Sequence, residues 1–153
     1  KTTTCRILAG VEIRHVLDYF PVTEETSVEA FIIFFIENQE TTRDFYTEVL
    51  NIRPTLDVPG MIEFTLPDGT KIGFMPNGNI KKLLGEKLPD PARSTGTPRS
   101  EIYLIVNDAT RCHERAISCG AREIQPLQPM PWGQDVAYSL DPDGHILAFA
   151  NIE

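Results

Sequence analysis

The chain has 153 residues, of which 41% are hydrophobic and 24% charged, a mixture typical of folded globular proteins. Its 22 acidic and 14 basic residues give a formal net charge of −8, which argues against a nucleic-acid partner because phosphate binding needs a basic face. The longest apolar run, residues 30–36, is far shorter than the roughly 20 residues of a membrane helix, so no membrane span is expected.

Residues 1–28 match no later part of the chain and are interpreted as an N-terminal extension. Ile7, Leu8, Val11 and Phe20 are among their apolar side chains, so we expect a helix or a strand packed on the domain or on a partner chain. No apolar signal core is expected there. The three cysteines include no Cys-x-x-Cys pair, which favours a reduced, cytoplasmic protein.

Residues 29–76 predict a strand, a helix and a hairpin. The run 30–36 is typical of a buried strand, and Asn38 can cap the helix that follows. Side chains at spacings of three and four then form a stripe along one face of that helix: Thr42, Phe45, Tyr46, Val49 and Leu50. Pro67-Asp68-Gly69 indicates a turn between two further strands, 61–66 and 70–75.

Residues 100–153 repeat this order. A strand is predicted over 101–106, and a helix follows with Asp108 at its N-cap and Gly120 at its C-cap. Further strands are predicted over 122–124, 134–140 and 145–150, the last two joined by the turn at 142–144.

The two segments align with consistent offsets. The first strands differ by 70 positions, and the turns at 67–69 and 142–144 differ by 75. The extra residues of the second segment fall in the loop 125–133. The sequence therefore predicts an α+β fold of two βαβββ modules, 29–76 and 100–153, joined by a linker at 77–99 that is rich in Gly, Pro, Ser and Thr.

Two motifs carry a family resemblance. The segment Phe45-Tyr46-x-x-Val49-Leu50 and the block from Trp132-Gly133 to Asp141-Pro142-Asp143-Gly144-His145 resemble the vicinal-oxygen-chelate superfamily, also called the glyoxalase, bleomycin-resistance and extradiol-dioxygenase fold. The resemblance covers about 29–153. It implies two modules that curl into a half-open barrel around a cleft, and a homodimer.

Enzymes of that superfamily hold a divalent metal at four strand positions. The resemblance places these positions at Phe31, Gly73, Glu101 and Ala148, of which only Glu101 could bind a metal. One carboxylate is too few for a catalytic divalent ion. We therefore expect no metal and no cofactor, and a similarity to the drug-sequestering proteins of the bleomycin-resistance type.

Strand alternation predicts which side chains share the face of these four positions. Gly73 and Ala148 are small and would leave room for a ligand. The other members are mostly apolar and aromatic, as in small-molecule sites, although a filled core would have the same composition. The candidate ligand-binding residues on this face are Phe31, Ile33, Phe35, Glu101, Tyr103 and Ala148.

Glu101 and Trp132 are the most distinctive candidates. The Glu101 carboxylate could pair with a ligand cation or act as a general base, or it could be an exposed strand end. Trp132 could stack on a planar or cationic ligand, or anchor a dimer or the barrel rim.

Histidines and cysteines give weaker signals. His113 is predicted on the polar side of the second helix and His145 at an exposed turn, while His15 lies in the unmatched extension. Cys112 and Cys119 lie on the apolar stripe of their helix and are interpreted as core residues.

Three functions remain open. The first is a dimeric protein that binds a small amphipathic, possibly cationic compound without a metal. The second is an enzyme of the same fold with Glu101 as general base on a carbonyl or epoxide substrate. The third is a structural module whose cleft is filled by its own side chains.

Overall fold

The computed structural model describes residues 30–94 and 97–152, which form two similar α+β modules. The elements of the first module are β1 (Phe31–Ile36), α1 (Gln39–Leu50), β2 (Leu56–Val58), β3 (Met61–Thr65) and β4 (Lys71–Pro76). The elements of the second are β5 (Glu101–Val106), α3 (Ala109–Ser118), β6 (Arg122–Pro129), β7 (Asp135–Leu140) and β8 (Ile146–Asn151). Between them lie α2 (Asn77–Leu84) and short 3₁₀ turns at Gly85–Lys87 and Pro91–Arg93.

Each module has one four-stranded sheet, and the two sheets share a topology. Their strand orders are β1-β4-β3-β2 and β5-β8-β7-β6. In each sheet the first strand pairs in parallel with the last, and the other pairs are antiparallel. The predicted βαβββ repeat is therefore confirmed, and each sheet remains open rather than closing into a complete barrel.

The predicted helix caps are present. Asn38 accepts a hydrogen bond from the backbone of Thr41 at 2.9 Å, and Asp108 accepts one from Arg111 at 2.9 Å. Gly120 follows α3 with a φ of +107°, a conformation that glycine adopts without strain. These local signals begin and end the helices where the sequence predicts.

The core lies between each sheet and its helix and is continuous between the modules, since α1 packs on α3. Tyr46 of α1 stacks on Phe74 of β4 with ring centroids 4.2 Å apart. Phe64 of β3 and Phe149 of β8 are completely buried in the same core. Cys112 and Cys119 pack against it as partly buried residues.

Three elements differ from the sequence predictions. Strand β2 was not predicted, because its three residues are too few to show a period. Helix α2 occupies the start of the predicted linker, with a single buried residue, Ile80. Strand β6 continues to Pro129, since the extra residues of this module are absorbed as register shifts against β7 instead of forming a loop.

Two histidine predictions are wrong. His113 is only 5% exposed, because α3 packs across β6–β8 and the His113 ring lies against Phe149. Nε2 of His113 lies 3.1 Å from the Glu123 carboxylate. The side chain of His145 is only 17% exposed, because the turn folds back onto the first module.

The predictions for residues 1–28, including His15, lie outside the described residues. In the described part of the chain, no helix is long and apolar enough to cross a membrane.

Candidate functional site

The face of the first sheet that points away from α1 carries three of the seven predicted ligand-binding residues. Phe31, Ile33 and Phe35 of β1 lie in register with Lys71, Gly73 and Met75 of β4, so all six share this face. The three β1 side chains are 37–41% exposed. We call this surface the first open face.

Gly73 does not leave the room that its small size suggests. A Cβ atom placed on Gly73 would lie 2.7 Å from Cζ of Phe31 and 2.7 Å from Cε of Met61. The Phe31 ring and the Met61 methyl group therefore fill the space above the glycine. The predicted opening at this position is therefore occupied by two side chains of the protein itself.

The first open face also contains a carboxylate that sequence reasoning missed. Glu63 of β3 pairs in register with Gly73, and its side chain is 16% exposed. Its Oε1 lies 3.5 Å from Nζ of Lys71 and 3.3 Å from the hydroxyl of Thr55. The alternation of β3 could have indicated Glu63, since it shares the parity of Met61 and Thr65 on the open side of the strand.

The second sheet carries Glu101, Tyr103 and Ala148 on the equivalent face. Tyr103 pairs in register with Ala148, and Tyr138 lies on its other side. Ala148 is completely buried, because Met130 and Tyr138 pack over the cluster to which it belongs. Ala148 thus presents no surface to a ligand in this structure, while Tyr103 is 36% exposed.

Glu101 lies at the exposed start of β5, in register with Ile146 of β8. Burial raises the pKa of Tyr138, and the charge of the Glu101 carboxylate contributes to the same increase. We call the surface formed by Glu101, Tyr103, Ile105 and their cross-strand neighbours the second open face. The charge of Glu101 therefore acts on another residue of this face, Tyr138.

Trp132 lies in the tight turn between β6 and β7 and is 56% exposed. The turn is closed by hydrogen bonds from Met130 to Gln134 and from Gly133 to Met130. Gln134 accepts a hydrogen bond from the Tyr103 hydroxyl at 2.8 Å, which ties this turn to β5. The indole is thus displayed at the rim of the second sheet.

A cavity of about 1090 Å³ brings together residues of both modules. Ile33 and Phe35 border it from β1, and Glu101 borders it from β5. The turn between β7 and β8 closes one side through Asp141 and His145. Further charged side chains in its wall are Glu37, Arg99, Arg122 and Asp143.

A second cavity, of about 790 Å³, lies along β5, α3 and the end of α1. Tyr103 and Ile105 border it together with Arg111 and Arg115 of α3. The structure therefore distributes the predicted site residues over two cavities, with Glu101 in one and Tyr103 in the other.

The four positions at which the resemblance implies metal ligands do not fit a metal. Phe31 and Gly73 are in van der Waals contact, Ala148 is buried, and only Glu101 offers an oxygen atom. Within residues 30–94 and 97–152, no three His, Cys, Asp or Glu side chains are grouped closely enough to hold a metal ion.

The sequence profile of the glyoxalase-like domain family matches residues 30–151. The match spans both βαβββ modules, and the chain therefore belongs to this family. An uncharacterized protein of Mycobacterium bovis is 29% identical over 119 residues, which cover 72% of this chain and 74% of the relative.

Solved structures share the fold at lower identity. A glyoxalase-related enzyme from Fulvimarina pelagi superimposes with a TM-score of 0.66 at 22% identity, covering 82% of this chain and 89% of the other. A glyoxalase/bleomycin resistance protein/dioxygenase family enzyme from Burkholderia phytofirmans PsJN gives a TM-score of 0.68 at 16% identity, covering 80% and 97%. At these identities the likeness concerns the fold alone.

Proposed function

We propose that the protein binds small amphipathic, cationic molecules without a metal, in the cavity between β1 and β5, and that it acts as a homodimer. The observation that carries the proposal is the shared cavity of about 1090 Å³, which combines Ile33 and Phe35 with the Glu101 carboxylate. Apolar walls with a few placed polar groups are typical of small-molecule sites.

The charges in the cavity wall favour a cation. Four carboxylates border the cavity, against two guanidinium groups and one imidazole. Two of the carboxylates, Asp141 and Asp143, are occupied by hydrogen bonds within the protein. Glu101 forms no ion pair with any described residue, so its charge is available to a ligand.

The aromatic and apolar side chains support a ligand with a flat apolar body. Phe35 is 38% exposed and Ile33 37% exposed, and both lie at the cavity wall. Aromatic faces attract cations as well as apolar surface, by roughly 0.5–2 kcal/mol for one contact. A planar cation would use both kinds of surface.

The proposed homodimer would cover the apolar side chains that one chain leaves exposed. Leu56 and Val58 of β2 extend the exposed surface of the first open face, and Ile105 is 59% exposed on the second. Contiguous apolar surface of this kind typically marks an interface. A second copy of the chain is the proposed occupant.

The role of the Glu101 charge is tested with a matched pair of planar probes, the 10-methylacridinium cation and neutral acridine, by calorimetric titration at pH 7.5. We expect the cation to bind more tightly, and Glu101→Gln to weaken its binding at least about fivefold, the equivalent of about 1 kcal/mol. Acridine binding should change little. Glu114→Gln, which removes an exposed carboxylate from α3, is the matched control.

Three results would overturn parts of the proposal. If the cation binds Glu101→Gln as tightly as it binds the wild type, Glu101 has no role in binding. If neither probe binds the wild type, a structural module with a filled cleft is favoured. Elemental analysis that finds a stoichiometric divalent ion in the purified protein would contradict metal independence.

The dimer is tested by sedimentation of two variants with new surface charges. Ile105→Asp should shift the protein toward the monomer, because it places a charge on the second open face. Leu83→Asp, at a 71% exposed position on α2, should leave the oligomeric state unchanged. A wild type that sediments as a monomer at high concentration would exclude the dimer.

A further inference from the structure

The turn between β7 and β8 is organised by one buried carboxylate. Oδ1 of Asp141 accepts hydrogen bonds from the backbone N–H groups of Asp143 at 3.0 Å and His145 at 2.8 Å. The Asp141 side chain is completely excluded from solvent. The turn is therefore held in one conformation from within.

The same turn is fastened to the first module. Tyr46 donates to Oδ2 of Asp141 at 2.7 Å. Asp143 accepts one hydrogen bond from the backbone N–H of Glu37 at 2.6 Å and another from the Thr42 hydroxyl at 2.9 Å. Glu37 directly follows β1, so these bonds fix the end of β1 against the second module.

His145 lies among these contacts between the turn and the first module. Its Nδ1 is 2.9 Å from Oδ2 of Asp141, and its ring meets Phe34 of β1 edge-on with centroids 5.1 Å apart. Burial lowers the pKa of His145, but the hydrogen bond and charge of Asp141, the charge of Asp143 and the backbone carbonyl of Phe35 together raise it above its ordinary value.

We propose that His145 is a positioning residue that holds the end of β1 against the second module. Phe35, which lines the cavity, is held in place with it. The hold weakens when the His145 imidazolium loses its proton. The inference rests on the proposed function in that β1 forms a wall of the proposed binding cavity. The effect itself requires no ligand.

The physical reason is the arrangement of charges around the ring. The protonated ring compensates two carboxylates in a half-buried turn, Asp141 and Asp143. A neutral ring keeps one N–H and no charge, so the repulsion between the carboxylates is no longer offset. The consequence reaches β1 through Asp143, which accepts from Glu37.

Other titratable and charged groups face the same turn and cavity. The Tyr46 phenol, from α1, has a pKa raised well above 10 by burial and by Asp141. Burial raises the pKa of Asp143. The Glu37 carboxylate accepts from Asn77, and Glu101, Arg99 and Arg122 border the same cavity. The His145→Gln variant therefore separates the response of His145 from that of these neighbours.

The sign of the effect follows from the raised pKa. A histidine whose pKa is raised in the native state stabilises it fully below the unfolded value of about 6.5. That contribution is lost as the pH rises through the native pKa. We thus expect β1 to be held tightly at pH 6 and more loosely at pH 9.

The test is an NMR titration of the protein without ligand. The His145 ring should titrate with a midpoint above about 6.5, and the Glu37 amide shift should follow the same midpoint. Protection of the Glu37 amide from hydrogen exchange, corrected for the intrinsic rate, should fall by up to about tenfold for each unit by which the midpoint exceeds the ordinary value.

Two variants make the test specific. His145→Gln should abolish the pH response of Glu37, whereas His113→Gln, which changes the buried histidine of α3, should leave it intact. A Glu37 amide that ignores the His145 midpoint in the wild type, or that still titrates in His145→Gln, would overturn the proposal. If His145→Gln does not fold, the comparison of the His145 and Glu37 titration midpoints in the wild type decides the proposal. The proposed function is tested separately, by the affinity of Glu101→Gln for the 10-methylacridinium cation at constant pH.

Discussion

Tyr46 donates a hydrogen bond to Oδ2 of Asp141 at 2.7 Å across the boundary between the two modules, and both side chains are inaccessible to solvent. The two residues are 95 positions apart in the chain. They belong to the two motifs by which the sequence resembles its family. A local helix motif and a local turn motif are thus parts of one buried contact.

We expect Tyr46→Phe to lower the free energy of unfolding by about 1–2 kcal/mol, because it removes one hydrogen bond from a buried carboxylate and leaves the ring packing unchanged. Urea denaturation at pH 7 measures this change. The difference from the wild type should shrink above pH 10, since burial and Asp141 raise the pKa of Tyr46 and the unfolded chain loses that phenolic proton first.

Tyr103→Phe is the matched control for Tyr46→Phe. Its hydroxyl donates to Gln134 at 2.8 Å, but this bond is exposed to solvent. We expect a cost of about 0.5 kcal/mol or less for this exposed bond. Equal costs for the two variants would contradict the importance of burial at Asp141.

The repeated fold could be predicted because its signals are local. Asn38, Asp108 and Gly120 act within a few residues of themselves, and they mark helix ends in both modules. Strand β2 and the extension of β6 could not be predicted in this way. Their backbone pairs with strands formed elsewhere, and the pairing decides their length.

The candidate site was less predictable because it depends on distance in space. Alternation correctly placed Phe31, Ile33 and Phe35 on one face, in register with β4. It could not show that the Phe31 ring covers Gly73, or that His145 folds onto Asp141 rather than into solvent. Both facts depend on contacts between separate segments, which no single strand pattern encodes.

Arg115 of α3 stabilises the end of α1 in the other module. Its Nη2 donates to the backbone carbonyl of Val49 at 2.7 Å, and α1 has no basic residue in its own last turn. The guanidinium therefore supplies both a hydrogen bond and a positive charge at a helix C-terminus. Both contributions hold the two helices together.

Arg115→Met should lower the free energy of unfolding by about 1–2 kcal/mol, because it keeps the apolar stem and removes the charged donor. Arg111→Met changes an exposed arginine one turn earlier on the same helix, and its effect should lie within about 0.5 kcal/mol of zero. Chemical denaturation of the two variants side by side gives the comparison. A larger loss in Arg111→Met would exclude the capping role.

Asn51 ends α1 in a left-handed conformation, with φ 55° and ψ 37°. Among the described residues it is the only one other than glycine with a positive φ. We expect Asn51→Ala to cost about 1 kcal/mol and Asn51→Gly to be neutral or slightly stabilising, because alanine is strained in this region and glycine is not. Asn107→Ala is the exposed control, and thermal unfolding measures all three. A loss in Asn51→Gly as large as that in Asn51→Ala would contradict a backbone origin.

The contact between Phe31 and Gly73 can be tested by a double-mutant cycle. Gly73→Ala places a methyl group 2.7 Å from the Phe31 ring and from the Met61 methyl, so these side chains must move. We expect a cost of about 1 kcal/mol, because both contacts involve the ends of partly exposed side chains that can shift. Phe31→Ala alone should cost about 1–2 kcal/mol, since its ring is 41% exposed.

The double variant should lose about 1 kcal/mol less than the sum of the single changes, because removing the ring makes room for the new methyl group. Urea denaturation of the four proteins measures the coupling. Gly78→Ala is the control, since a Cβ there meets nothing within 4 Å and alanine is favoured in the helix. Strictly additive losses would mean that Phe31 does not cover Gly73 in solution, and the space above the glycine would again be open to a ligand.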